Sequence, residues 1–327
     1  MSNPLVSIIV PVYNVENFIE KCATTLFEQD YDNIEYIFVN DCTPDGSISV
    51  LKEIIEKYPN RKSGIQIINK EKNEGLPQAR KTGLKNSNGE YIMHVDSDDW
   101  VELDMVSSLI GEAIKTDADM VICDYYINYS KKEIYKKTFP ISNLSSDDII
   151  IKTLTLEILS SMCCKLVRKE IYSKVIFPVF SNREDMFVNL QFYSIIKKYS
   201  YLNRAFYHYN KANDSSITQN YENNKNINDL RDFYIVTKNF LQDNSLSESI
   251  RYLNIGLCYS IVSISNGNSK KLFDAICPSA NNIKYIWKNN SLSFIKKIVF
   301  SLPFLHLEWL YVIIKKFYKT TKGRMYD

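Results

Sequence analysis

The sequence predicts an α/β fold, a mostly parallel sheet flanked by helices, with a helical C-terminal extension. Three observations carry this. Short β-rich runs recur five times in the first 126 residues, their centres about 25 to 30 residues apart, the length of one strand, one crossover helix and two turns. The segments between them repeat apolar residues at helical spacing. The strands themselves are almost continuously apolar, as strands are when helices cover both faces of a sheet.

Taken in order, "VSIIVPVY" (Val6 to Tyr13) is the opening strand. Val15, Phe18, Ile19, Cys22 and Leu26 then form the stripe of a helix behind Asn14, a residue type suited to an N-cap. "IEYIFVN" from Ile34 is the next strand, followed by a helix with Leu51, Ile54, Ile55 and Tyr58 on one face. "IQIIN" from Ile65 leads into "NEGLPQARKTG", the start of a third crossover helix. "YIMHV" from Tyr91, a helix carrying Met105, Val106, Leu109, Ile110 and Ala113, and "MVICDYY" from Met120 complete the series, and the five strands are expected to form a parallel sheet. After about residue 127 come short strand candidates, a helix near Ser146 to Leu159, "CCKLVRK" at Cys163, a helix near Glu184 to Lys198 and "AFYHYNK" at Ala205. From Asn223 onward the pattern is all helix, with no internal repeat and no low-complexity linker.

The chain has 327 residues, 45% of them hydrophobic, enough to bury a core. Forty basic against 38 acidic residues give a formal charge of +2, which argues against nucleic-acid binding by bulk electrostatics. The seven cysteines (Cys22, Cys42, Cys123, Cys163, Cys164, Cys258, Cys277) are odd in number and contain no CxxC pair. Neither a disulfide framework nor a zinc site is indicated, and a reducing cytoplasm is the expected compartment. The N-terminus has no basic n-region, so no secretory signal is expected. Charge is lopsided only from Leu292 to Lys322, where Lys296, Lys297, Lys315, Lys316, Lys319, Lys322 and, just beyond, Arg324 flank the apolar stretch Ile298 to Ile314. That stretch is at the short limit for a membrane span, about 17 residues, and contains Pro303, His306 and Glu308. It is expected to lie in the interface of an anionic inner leaflet, the alternative being a helix packed on the protein's own core.

In open parallel sheets, ligands bind beyond the C-terminal strand ends. "VNDCTPDG" closes the second strand there with Asn40 and Asp41, and "HVDSDDW" closes the fourth with Asp96, Asp98 and Asp99. Arg80 lies between them on the third crossover helix. Three carboxylates within four positions repel one another, and the compensators are solvent, Lys/Arg partners or a hard cation. Taken singly, the Asp41 end is equally a solvated loop and the Asp96 to Asp99 cluster less readily so; together with Arg80 they make a polar, metal-capable pocket.

These motifs resemble the inverting glycosyltransferases of family 2. "SIIVPVYN", "VNDCTPDGS", "NEGLPQARKTGL" and "GEYIMHVDSDDW" match that family in order and spacing, and "CKLVRKE", "REDMFVNLQF" and "YHYNKANDSSIT" resemble its acceptor-side elements. The resemblance covers roughly residues 4–218 and implies the GT-A fold, with a Rossmann-like, mostly parallel sheet. It implies a glycosyltransferase domain over 1–218, with a nucleotide-binding half (1–126) and an acceptor-side half (127–218), and a helical region over 219–327 with a basic amphipathic end. Two departures stand out: Asn40, Asp41, Cys42 and Thr43 replace a frequent Asp-Asp-Gly-Ser, and Pro77 with Gln78 stands where Ser is frequent.

By position, the resemblance sets a nucleotide base against Pro11, Tyr13 and Asp41. A carboxylate accepts the N3–H of uracil and repels cytosine, while thymine and guanine also offer a donor. A ribose 2′-hydroxyl on Asp96 disfavours a deoxyribose donor, and UDP comes ahead of GDP. Asp98 is then the ligand of Mn²⁺ or Mg²⁺. Arg80 and Lys165 are candidates for the diphosphate, Lys165 being equally a surface charge. Asp185 is implied as the base, with Glu184 beside it, although acidic residues also gather in first helical turns for dipole reasons. Trp100 is a candidate for the sugar pocket or a core aromatic. His208 is a candidate diphosphate contact or a packing residue. The function implied is metal-dependent, inverting transfer from a UDP-sugar to a hydroxyl of a glycan or lipid-linked oligosaccharide in surface polysaccharide synthesis. The setting is the inner face of the cell membrane, with no nucleic-acid partner. A nucleotidyltransferase should carry a Gly-rich loop after the first strand, and "PVYNVENF" has none. An Asp-nucleophile phosphatase would normally carry its DxD at the end of the first strand. A catalytically silent glycan- or lipid-surface scaffold on the same fold is opposed by Asp96, Asp98 and Asp185.

Overall fold

The computed structural model of the protein describes residues 3–139, 144–211 and 225–318 in full, and the backbone of 224 and 319–326. The motif "YHYNKANDSSIT" beyond Lys211 and the side chains of Lys319, Lys322 and Arg324 lie outside the described residues. The strands are β1 (Val6–Val12), β2 (Ile34–Asn40), β3 (Ile65–Asn69), β4 (Tyr91–His94), β5 (Trp100–Val101), β6 (Met120–Tyr129), β7 (Lys132–Lys136), β8 (Lys165–Arg168) and β9 (Tyr199–Asn210). In the first half the helices are α1 (Ile19–Phe27), α2 (Ser47–Glu56), α3 (Leu76–Lys85), α4 (Met105–Thr116), α5 (Ser146–Leu154) and α6 (Lys169–Tyr172). They are followed by α7 (Glu184–Ile195), α8 (Asn224–Asp243), α9 (Ile250–Ile264), α10 (Ser269–Ile276), α11 (Ile283–Lys288), α12 (Phe294–Ser301) and α13 (Glu308–Tyr326). The chain divides into two compact units: Met1–Ser142 with Ser161–Ser181 and Gln191–Asn213, and Asn143–Ser160 with Asn182–Leu190 and Asp214–Asp327.

The nine strands of the described residues belong to the first unit and form one mixed sheet, in the order β3-β2-β1-β4-β8-β6-β9-β5, with β7 added to β6. Strand β1 is central and buried along its whole length, parallel to β2 on one side and β4 on the other. β2 is in turn parallel to β3. The four crossovers expected from spacing and periodicity are thus present as α1 to α4. The fifth run, Met120 onward, differs from a simple parallel continuation. The antiparallel strand β8 inserts between β4 and β6, burying Leu166 and Val167, and β6 finds its parallel partner in β9. Two antiparallel pairings here satisfy the backbone of both neighbours with only four residues of β8.

Asn14 is not the cap of α1. It adopts a left-handed conformation, and its amide donates to Thr43 Oγ1 at 2.8 Å, tying the end of β1 to the loop after β2; the helix begins only at Ile19. Helix α5 stops at Leu154, short of the expected Leu159, and the chain turns through Leu156 at a positive φ of 65°. Helix α7 stops at Ile195, and the Asp119 carboxylate takes the amides of Lys197 and Lys198.

The regular elements of the second unit are all helices among its described residues. The apolar stretch Ile298–Ile314 is split between α12 and α13 by a short 3-10 turn, Leu302–Leu305, holding Pro303 and followed by left-handed His306. No helix of the described residues is long and apolar enough to cross a membrane.

Candidate active site

Parallel pairing brings the ends of β1 to β4 out at one edge of the sheet, and the first unit's polar side chains collect there. Val12 lies opposite Asn40 and Asn40 opposite Asn69, while the Asp41 amide donates to Val12 carbonyl oxygen at 3.1 Å. Pro11 is buried, and the Tyr13 ring is exposed at the same edge. The Asp41 carboxylate, buried itself, accepts from Lys70 Nζ at 2.7 Å and from the amides of Glu74 (3.1 Å) and Gly75 (2.7 Å). Burial opposes the charge on Lys70, yet the carboxylates of Asp41 and Glu74 hold its ammonium above the usual lysine range. Gly75, with φ 86° and ψ 166°, occupies a conformation open only to glycine and is the N-cap of α3. Pro77 fits the first turn of that helix, where no amide bond is lost.

The loop after β2 is held by Asp45. Although burial works the other way, hydrogen bonds from Ser47, Thr43 and the Glu16 amide keep its carboxyl below the ordinary carboxylate range. Cys42, one of the departures from the family pattern, sits exposed at φ 57° in this loop, and Thr43 donates its amide to Asn40 Oδ1 at 2.8 Å.

The acidic loop after β4 distributes its charges among different partners. Arg80, buried on α3, donates to Asp96 Oδ1 at 2.7 Å. Asp99 is buried and accepts from the Tyr207 hydroxyl at 2.5 Å and the Asn210 amide at 2.7 Å. Burial, with the charges of Asp98 and Asp96, pushes the Asp99 carboxyl well above its ordinary range. Asp98 is half-buried, its carbonyl accepting from Asn210 Nδ2 at 3.1 Å. Arg80, Tyr207 and Asn210 therefore compensate Asp96 and Asp99, the Lys/Arg partner among the expected compensators being Arg80.

Lys165 is buried, which removes the surface-charge reading: β8 runs antiparallel to β4, so its first residue emerges where β4 ends, and its Nζ donates to the Ser161 carbonyl at 2.5 Å. Trp100 pairs with His208 across β5 and β9, and the rings stack at 5.2 Å with Tyr126 on the other face of the imidazole at 4.8 Å. His208 Nε2 lies 2.8 Å from Glu102, Nδ1 3.2 Å from Glu133, and Lys21 Nζ sits 3.0 Å from the Trp100 ring centroid. Asp185 and Glu184 open α7 in the second unit, Glu184 buried and Asp185 half-buried with its carboxylate accepting from the Met186 amide at 2.7 Å.

Two participants escaped the sequence reading. Lys70 directly follows "IQIIN", so its place at a C-terminal strand end was legible. Tyr207 stands next to His208, and strand alternation turns it to the opposite face, toward the acidic loop.

The donors fit a hard cation. Among the described residues no three His, Cys, Asp or Glu side chains group as a cation cage. Mg²⁺-like ions commonly take one or two carboxylates and complete their shell with phosphate oxygens and water. Asp98 is the residue that would hold one. Cys22 is beside the loop, its thiol 3.7 Å from the Asp96 carbonyl, but burial and the neighbouring carboxylates raise its pKa well above the usual range, so it offers no thiolate.

Comparison with known proteins identifies the fold and the family. A solved structure of Staphylococcus aureus TarS (residues 1–349) with UDP-GlcNAc superposes with a TM-score of 0.69 at 19% identity, covering 97% of this chain and 92% of that one, which makes the fold GT-A. GlyA of Streptococcus pneumoniae, a glycosyltransferase, is 34% identical over 217 residues, 62% of this chain. That match takes in 30% of GlyA, so the chain spans about a third of that relative's length. EpsH of Bacillus subtilis is 32% identical over 262 residues, covering 77% of this chain and 73% of that protein. The family model described as "Glycosyl transferase family 2" matches residues 7–176, which take in β1 to β4, the acidic loop and β8, and the chain belongs to that glycosyltransferase family.

Proposed function

We propose that this glycosyltransferase moves a sugar from a UDP-sugar, with Mn²⁺ or Mg²⁺, to a hydroxyl of a glycan or lipid-linked oligosaccharide in surface polysaccharide synthesis, inverting the anomeric centre. The observation that carries the donor half is the convergence of Asp41, the Arg80–Asp96 pair and Asp98 at one sheet edge. The TarS structure with UDP-GlcNAc supports uridine as the nucleotide.

A carboxylate offers about four acceptor sites, and chain donors take three on Asp41, so one remains for the uracil N3–H. Pro11 and Tyr13 flank the base. Asp96 accepts the ribose 2′-hydroxyl while Arg80 fixes its orientation, and Lys165 carries positive charge to the diphosphate end of the edge. A divalent cation held by Asp98 would supply Lewis-acid stabilisation of the departing diphosphate. Asp185 takes the proton of the acceptor hydroxyl, which must leave as the new bond forms in a single displacement. Trp100, stacked on His208, is a platform for the sugar face. The enzyme works at the inner face of the membrane, where a lipid-linked acceptor is presented.

The test is UDP release from a panel of UDP- and GDP-sugars with and without Mn²⁺, followed by NMR of the product. An α-linked UDP-sugar should yield a β-glycoside. A product of retained configuration, or a preference for GDP-sugars, would overturn the corresponding part of the reading.

A further inference from the structure

Exposed apolar side chains are not scattered evenly over this protein. Ten of the eighteen exposed large hydrophobic residues among the described ones lie between Trp287 and Tyr318, all in the second unit. On α13, Trp309, Ile313 and Phe317 are 62%, 55% and 72% exposed. At about 100° per residue these three share one stripe, while Tyr311 points roughly the opposite way. Tyr311 is buried and donates its hydroxyl to the Val262 carbonyl at 2.8 Å, and Lys315 on the same side reaches the Ser265 carbonyl at 3.0 Å. Helix α12 repeats the arrangement. Phe300 packs on Tyr259 (5.0 Å) and Tyr311 (5.7 Å), while Phe294 and Ile295, on the far side, are 67% and 73% exposed. Each helix is therefore anchored by one face and leaves an apolar face outward.

Charge says what covers those faces. From Asn289 to Tyr318 there are four lysines and one acid, Glu308, whose carboxylate accepts the Ser269 amide at 2.7 Å. Lys296 follows directly on the α12 stripe and Lys316 borders the α13 stripe. Protein interfaces deplete lysine and acids alike at their core, whereas a cation-framed aromatic stripe matches the boundary between anionic headgroups and acyl chains.

We propose that α12 and α13 dock the protein on an anionic lipid surface, with Phe294, Ile295, Trp309 and Ile313 entering the acyl boundary and Lys296 and Lys316 meeting the phosphate headgroups. This deepens the membrane setting of the proposed function by naming the surface responsible, and it is tested apart from the chemistry.

The experiment is co-sedimentation of the full chain with vesicles of phosphatidylcholine alone and of equal parts phosphatidylcholine and phosphatidylglycerol, without donor sugar. Wild type should partition onto the anionic vesicles and release at high salt. Trp309→Ser with Ile313→Ser should lower partitioning at least about tenfold, since two large apolar side chains are lost from the lipid. Lys296→Gln with Lys316→Gln should lower it about tenfold or more on anionic vesicles and leave the weak binding to neutral ones unchanged. Circular dichroism of each variant checks the fold, and UDP affinity by calorimetry tests the donor reading separately. Absence of wild-type binding, or equal binding by both double variants, would overturn the proposal. So would a concentration-dependent dimer that Trp309→Ser with Ile313→Ser dissociates while vesicles stay unbound, which would assign the stripe to a second copy of the chain.

Discussion

The Tyr207 hydroxyl donates to Asp99 Oδ2 at 2.5 Å and accepts the Asp96 amide at 3.1 Å, so one phenol from β9 fixes both ends of the acidic loop. Burial and the neighbouring Asp99 raise the pKa of this phenol well above the tyrosine range, which keeps it a donor. Tyr207→Phe leaves the buried Asp99 carboxylate short of a partner, and the folded state should lose about 1–3 kcal/mol. Chemical denaturation measures it. A loss no larger than that of an exposed Tyr→Phe control would mean that the loop holds without this bond.

Gly75 supplies an amide to Asp41 from a backbone conformation with φ 86°. Gly75→Ala should cost about 1–3 kcal/mol in strain and weaken UDP binding as the cradle of Asp41 shifts. Thermal denaturation and calorimetry on the same sample read both effects, and a variant with unchanged melting temperature would contradict the backbone assignment.

His94, wholly buried at the end of β4, has neither ring nitrogen hydrogen-bonded within the described structure. Burial, and then the charge of Arg80, push its pKa well below the ordinary 6.5. The unfolded chain therefore binds a proton that the folded chain refuses, so this contribution to stability is complete above about pH 6.5 and is lost as pH falls below it. His94→Phe keeps the ring volume and removes the titration. The variant should match or exceed wild type at neutral pH, and should lose less stability between about pH 7 and pH 5. Parallel denaturation curves at the two pH values check this, and an equally steep loss in the variant would show that another group sets the acid limit.

Asp185→Asn keeps size and hydrogen-bonding shape but cannot take a proton. Turnover with the true acceptor should fall by roughly 10² to 10⁴ while UDP affinity is preserved. If Asp185→Asn stays active and Glu184→Gln is dead, the two exchange roles; if both keep full activity, α7 is structural.

Much of this was legible in the residues because it rests on local periodicity. The spacing of Val15 to Leu26, Leu51 to Tyr58 and Met105 to Ala113 marked three crossover helices, and the almost unbroken apolar strands marked a covered sheet. The insertion of β8 was not legible, since a four-residue strand carries no signal of its neighbour or direction. Asn14 was misread as a cap because its partner, Thr43, is distant in sequence. At the site, the acidic motifs announced themselves. Of the partners that make them tolerable, Arg80 was placed beside them by its motif, whereas Lys70 and Tyr207 were not, because they reach their carboxylates through tertiary contacts 29 and 108 residues apart in the chain.

In the proposed function the loop after β4 builds a cation-assisted UDP site through Asp98. Calorimetric titration of UDP into wild type and Asp98→Ala, each with and without Mn²⁺, tests it most directly. Wild type should bind UDP tightly only with Mn²⁺, and Asp98→Ala should lose that dependence while remaining folded, since removing one of three clustered carboxylates relieves repulsion. Unchanged Mn²⁺-dependent UDP affinity in Asp98→Ala would contradict the account.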